Sequence, residues 1–298
     1  MLLRDKSDIL TLALIILCYC AWGVLTFGSF GVPGWVAAVL LVPVVTFHSS
    51  LQHEVIHGHP FEASKLNDLI AYAPIGIFLP YTRYKSLHLA HHQNASISDP
   101  LDDPESWYLP AQKWQQMPKW QKTIFTANNT LVGRMLLGPL LGVSTLFVRD
   151  MVSVSKGQVS LLAIWGLHLM AVSLLLAIIG QWSVISIGTY LLCAYLGMSI
   201  LMIRTYLEHQ AHETIRARSV IIEDKGILSL LFLNNNLHAV HHAYPMLAWY
   251  RLPGIFKRNR DRFMKMNTGY HFNNYWEIFR KYTFSAKEPV AFPFHKKP

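Results

Sequence analysis

The sequence predicts an all-α integral membrane protein: four transmembrane helices with a cytoplasmic helical cap, forming one domain over residues 1–298. Three observations carry this. Asp, Glu, Lys and Arg make up only 14% of the chain and apolar residues 52%, against about 25% charged residues in a typical soluble domain. The few charges are also partitioned. None occurs from Ile9 to His53 or from Gly157 to Ile203, and each gap is long enough for two helices of about 20 residues with a turn. Finally, there are 15 histidines, most of them gathered in three short clusters at or beyond the edges of those gaps.

In chain order, the spans are expected at about 9–28, 35–52, 159–179 and 183–203. Arg4 and Lys6 precede the first apolar run. No small-residue cleavage site follows it, so a retained span is expected rather than a cleaved signal peptide. The connections at 28–34 and 180–182 carry no charge. Every Lys and Arg falls in the N-terminal tail, in 65–156 or in 204–298, and the positive-inside rule places all three regions, and both termini, in the cytoplasm. The net charge of +9 is thus a topology signal, and no nucleic-acid-reading motif accompanies it. The cap is expected from 53–156 and 204–298. Within it, 66–80 contains Pro74 and Pro80 and is too short to span, and 131–148 carries Arg134 and Pro139. Both are expected to lie in the interface or to re-enter part way. The polar stretch 99–130, with Trp107, Tyr108, Trp114 and Trp120, suits the headgroup level. Cys18, Cys20 and Cys193 all lie in expected spans and form no CxxC pair, so neither a disulfide framework nor a thiolate metal site is expected.

The histidines define the chemistry. His53-Glu54-Val55-Ile56-His57 follows the second span; His88-Leu89-Ala90-His91-His92 and His238-Ala239-Val240-His241-His242 are two HxxHH clusters. On a helix, positions i, i+3 and i+4 share one face, so each HxxHH can aim three imidazoles at one point. His53 and His57 do the same at i, i+4. Eight neutral nitrogen donors exceed the four that one tetrahedral zinc takes, and fit two metal ions better than one. His209 is a candidate ninth ligand, about two turns past the fourth span, with His212 as its competitor. His48 and His168 lie within spans and are expected to pack or hydrogen-bond there. His59 is undecided, and His271 and His295 are expected at the surface.

With these clusters in this order, the sequence resembles the membrane fatty acid desaturases, whose relatives include alkane and sterol oxidising enzymes and carotenoid ketolases and hydroxylases. The resemblance rests on histidine boxes of the forms HxxxH, HxxHH and HxxHH on a four-span scaffold, and covers roughly residues 9–282. It implies that His53, His57, His88, His91, His92, His238, His241 and His242 hold two iron ions, with O2 as co-substrate. It also favours His209, because in relatives a further histidine follows the fourth span. It implies a role for an asparagine upstream of the third box, Asn234 or Asn235. Glu54 fills a position that is acidic in many relatives, where it would steady an imidazole N–H. The implied reaction is oxygen-dependent desaturation of a lipid acyl chain in the membrane, in a bacterial-type inner membrane.

Other functions compete. A hydroxylase or ketolase acting on an acyl chain, alkane or carotenoid would use the same ligands. A membrane zinc peptidase would use the HExxH pattern at residues 53–57 with Glu54 as general base, leaving both HxxHH clusters unexplained. A metal transporter would need polar ligands inside the spans, which offer only His48 and His168. The reaction needs electrons from outside, and the cysteines supply no iron–sulfur centre. A separate acidic donor such as ferredoxin is therefore expected, docking on Arg251, Lys257, Arg258, Arg260, Arg262 and Lys265. The same cations would also suit anionic headgroups.

Overall fold

A computed structural model describes residues 8–28, 31 and 33–294. Arg4, Lys6 and His295 lie outside the described residues. The chain is mostly helical. Long apolar helices run over Ile9–Phe27 (α1), Gly34–Ile56 (α2), Ser160–Trp182 (α8) and Ile187–Thr205 (α9), covering the four expected spans. A further long helix, Leu131–Ser155 (α7), occupies a region expected to hold a shorter interfacial segment. All five are long and apolar enough to cross a membrane. Shorter helices lie between and after them: Ser64–Ala71 (α3), Tyr81–Gln93 (α4), Ala111–Gln116 (α5), Lys119–Asn128 (α6), Ile227–Leu231 (α10), His238–Ala243 (α11), Leu252–Arg258 (α12), Arg260–Met266 (α13) and Tyr275–Tyr282 (α14). Two two-residue strands, β1 (Ile221–Ile222) and β2 (His271–Phe272), pair in parallel. The chain forms two compact units, Met1–Lys85 with Pro139–Leu201, and Ser86–Gly138 with Met202–Pro298.

The first unit includes α1, α8 and most of α2 and α9, helices with little polar surface, as suits a hydrocarbon surrounding. Its core includes Leu41, Val45, Ile75, Ile179, Tyr190 and Ala194, while Leu17, Val39, Leu169 and Leu174 are exposed. Several polar groups within it are paired. The Thr46 hydroxyl lies 3.0 Å from the carbonyls of both Val42 and Gly197. Trp22 Nε1 donates to the Tyr190 hydroxyl, which donates to the Ile75 carbonyl. Asp150 of α7 is fully buried. It accepts two bonds from Arg83, at 2.8 and 2.7 Å, and one from Trp165 Nε1. This clamp accommodates the charge of Asp150 inside the long helix.

The second unit carries a separate core in which Leu237, Ala239 and Val240 pack against Leu252, Phe256 and Phe263. Arg134, at the start of α7, belongs to it. Its guanidinium lies 3.9 Å from the Trp107 ring centroid and its Nε donates to the Asn128 carbonyl, so a cation in an apolar helix is satisfied without a carboxylate.

Candidate metal centre

Two of the three histidine clusters lie in the second unit, and helical spacing aims them. In α4, His88, His91 and His92 sit on the last turn-and-a-half. In α11, His238 is the first helical residue and His241 and His242 follow one turn on. The six-residue α11 is too short to be stable alone. It is held by β1: Ala239 N–H donates to the Val220 carbonyl, and Ile222 N–H to the Asn236 carbonyl. Leu233 and Asn234 adopt left-handed backbone, with φ of 51° and 57°, and this turn starts α11 at His238 rather than earlier.

His91, His209, His238 and His242 form one group. Their Nε2 atoms face one another: His91 to His209 at 3.0 Å, His91 to His242 at 3.3 Å, and His238 to both His209 and His242 at 3.1 Å. Three of the opposite ring nitrogens have partners outside the group. His91 Nδ1 donates to Asp103 at 2.7 Å and His238 Nδ1 to the Asn235 side-chain oxygen at 3.0 Å. The Ser219 hydroxyl lies 3.3 Å from His209 Nδ1. In a neutral ring whose proton is on Nδ1, Nε2 presents only a lone pair. Lone pairs pointed at each other at this distance repel unless a cation lies among them. Nitrogens bound about 2.1 Å from one ion sit about 3.0–3.4 Å apart, so the donor set fits a metal.

His88, His92 and His241 form the start of a second set. Nε2 of His92 lies 3.1 Å from that of His88 and 3.0 Å from that of His241, and His88 Nδ1 donates to Glu105 at 3.0 Å. The His92 and His242 rings stack at 4.3 Å, so the two sets are neighbours. In the first unit, His53 and His57 lie on the last turn of α2 and at its C-cap. Their ring centroids are 4.9 Å apart and both are buried.

Electrostatics divides the imidazoles. Burial holds His209, His238 and His242 well below the ordinary histidine range, and neighbouring histidines push them further. Burial, then His88 and His91, bring His92 down to about 3. These rings are neutral at pH 7, as ligation requires. Burial also opposes charge on His91, but Glu105 and Asp103 outweigh it and lift the ring to about 9. Burial pushes Glu105 up, yet the facing histidines bring it down to about 2. Burial raises the Glu208 carboxyl, partly offset by Arg204.

The remaining candidates fall outside these groups. His212 Nδ1 accepts from Thr214 N–H. His48 Nε2 lies 3.2 Å from the Tyr19 hydroxyl, and His168 bonds the Ile77 carbonyl. His59 pairs with Asp8 at 3.0 Å and approaches Glu54 at 4.0 Å. His271 pairs with Glu223. Of the two asparagines, Asn235 holds His238 and donates to Glu208, whereas Asn234 turns to the Trp249 carbonyl.

Asp103, Glu105, Glu208 and Ser219 are not singled out by the sequence reading. Only the first two had a signal in the sequence. Asp99, Asp102, Asp103 and Glu105 are four of the chain's 17 acidic residues, crowded just after the second cluster. Asp103 is also tightly built: it accepts from the backbone N–H of Ser98 at 2.7 Å and of Glu105 at 3.0 Å.

A histidine-rich donor set of this kind, on a helical chain with five helices apolar enough to cross a membrane, is compatible with a metal-binding membrane protein. The sequence model described as fatty acid desaturase matches residues 30–274, and the chain belongs to that family. No curated protein matches it.

Proposed function

We propose that the protein is a di-iron membrane oxidoreductase that desaturates a lipid acyl chain with O2. The single observation that supports this most is the convergence of four Nε2 atoms from His91, His209, His238 and His242, with the Nδ1 atoms of His91 and His238 held by Asp103 and Asn235. In this reading His88, His92 and His241 belong to a second ion. His53 and His57 join the ligand set by their match to the family's first box, and Glu54 steadies that box. Nitrogen-ligated iron, when bound, supplies the oxidising power to remove hydrogen from an unactivated methylene, chemistry beyond any side chain. The protein's own task is to orient the imidazoles and, at His92, His209, His238 and His242, to keep them neutral. Asp103 and Glu105 fix the tautomers of His91 and His88, and Asn235, tied to Glu208, fixes that of His238.

A count of four crossings, with box histidines and both termini on the cytoplasmic face, is supported by parity. His91 and His209 are separated in sequence by α7, α8 and α9, yet their Nε2 atoms lie 3.0 Å apart. The chain must cross the membrane an even number of times between them. α8 carries no charged residue, whereas α7 carries Arg134, Arg149 and Asp150, so α7 is the helix that stays on one side. A zinc peptidase built on residues 53–57 leaves the four-histidine group without a role.

The electron donor in this reading is a separate acidic protein such as ferredoxin. α12 and α13, which carry Lys257, Arg258, Arg260, Arg262 and Lys265, pack through Leu252, Phe256 and Phe263 onto Leu237, Ala239 and Val240 around α11. A partner docked there is one packing layer from the third box.

The test is expression in a host whose lipids are then compared with and without the protein, alongside metal analysis of the purified chain. Two irons per chain and an O2-dependent new double bond are expected, both lost in His91→Ala. A hydroxylated or keto product without unsaturation would assign the hydroxylase reaction instead. One zinc and no iron would overturn the oxidase.

A further inference from the structure

His209 differs from the other histidines of its group in having no helix under it. α9 ends at Thr205, and the chain continues as an irregular segment through Ala211. The carbonyls at and beyond a helix C-terminus lack intrahelical partners, so something else must fix this path. Part of it comes from a backbone bridge to Ser219, in which Val220 N–H donates to the Glu208 carbonyl and Gln210 N–H to that of Arg218, and the C-terminal residues supply the rest. Lys287 Nζ donates to the carbonyls of Tyr206 and His209 and pairs with the Glu288 carboxylate at 2.6 Å. The three N–H donors of the ammonium thus meet three acceptors. The Tyr270 hydroxyl donates to the Leu207 carbonyl at 2.7 Å. Ala211 N–H lies between the Tyr108 hydroxyl at 2.6 Å and the Glu288 carboxylate at 3.1 Å.

The segment bearing Lys287 is itself fastened. Val132 N–H donates to the Thr283 carbonyl, Lys287 N–H to that of Asn129, Leu109 N–H to that of Val290, and Phe292 N–H to that of Leu109. Residues 283–292 therefore form a strap laced at four points. A buried ion pair adds little net stability compared with apolar packing. What a fully satisfied one fixes is geometry. Here the geometry is the backbone of the residue that presents a ligand.

We propose that Lys287, with Glu288, is a positioning residue for the metal centre: it holds the His209 backbone so that Nε2 meets those of His91, His238 and His242. This inference rests on His209 being a metal ligand.

The test uses the purified full chain, stripped of metal and titrated without oxygen with Fe(II), and with Co(II) as a spectroscopic probe. The wild type takes up two ions. Lys287→Met lowers the affinity for one of them by about 10–100-fold, the range for loss of a ligand-supporting group, and alters the Co(II) visible bands of that ion alone. Lys287→Arg, which keeps the charge and donors, recovers much of the loss and carries the test if Lys287→Met does not fold. His209→Ala weakens the same ion, and adding Lys287→Met to it causes no further loss. Two ions bound with wild-type affinity in Lys287→Met would overturn the proposal. So would equal weakening of both ions together with lost helicity, which makes Lys287 purely structural. A wild type that binds no metal would instead overturn the reading of His209 beneath it.

Discussion

Asp103 shows how one side chain can orient a histidine ring. It is buried, its carboxylate is held by two backbone N–H groups, and it receives the His91 Nδ1 proton at 2.7 Å. Asp103→Asn retains an acceptor in nearly the same shape but removes the charge and adds an N–H donor. Metal affinity at the group containing His91 is expected to fall about 10–100-fold, read by titrating the metal-free protein. Glu105→Gln is expected to cost less, because the Glu105 side chain is 29% exposed and that of Asp103 only 1%; equal losses would mean that burial does not set the size of the effect. The box histidines are legible in the sequence because i, i+3, i+4 spacing is a property of a single helix. Their supports are not. Asp103 comes from a loop, Ser219 from the approach to β1 and Lys287 from the C-terminal strap, and only the tertiary path brings them to a ring nitrogen. His209 and His212 look equivalent on a one-dimensional chain; they differ because the backbone beyond α9 turns one ring to the group and the other to Thr214 N–H.

Among the helices, the four charge-free stretches are read from sequence to within a few residues, and α7 is not. Arg134, Pro139 and the Arg149–Asp150 pair all look like interruptions. The helix continues through all three, with Arg134 stacked on Trp107 and Asp150 clamped between Arg83 and Trp165. Whether so long a helix crosses the bilayer is a question of topology that length cannot decide. If α7 stays on the cytoplasmic side, the α7–α8 turn does too, and Lys156 in that turn agrees with the positive-inside rule. A single cysteine at Gln158, in a chain otherwise free of cysteine, is then expected to react with an impermeant maleimide only after the cytoplasmic face is opened. Reaction from the outside would make α7 a fifth span. Packing between helices allows a second prediction. A Cβ at Gly197 of α9 would lie 2.9 Å from Val45 Cγ1 and 3.3 Å from the Val42 carbonyl of α2. Gly197→Ala is expected to destabilise the protein by about 1–3 kcal/mol through overpacking, seen as a lower melting temperature in detergent. Val45→Ala should restore part of it; no recovery would place the strain elsewhere.

For the molecule as a whole, the proposed oxidation would require electrons from an aqueous partner. The +9 net charge is read first as a topology signal, but α12 and α13 concentrate part of it next to the third box. Arg260 is tied to Glu223 and contributes less than its charge suggests. Lys257, Arg258, Arg262 and Lys265 are exposed. A patch of this sign speeds encounter with an acidic protein more than it strengthens the complex, so its signature is kinetic. With limiting reduced ferredoxin, wild-type turnover is expected to fall steeply as salt shortens the Debye length from about 30 Å toward 8 Å. Replacing all four cations by Glu is expected to lower the donor-limited rate about tenfold or more, within the range for lost electrostatic steering, and to abolish or invert its salt dependence. The metal content should stay unchanged, because none of the four side chains reaches a box histidine. The measurement belongs in discs of zwitterionic lipid, where the same cations have no anionic headgroups to bind. A rate deficit that appears only when anionic lipid is added back would assign the patch to the membrane surface. Unchanged turnover and salt dependence in both lipids would remove donor docking from this face and send the search to another surface of the cap.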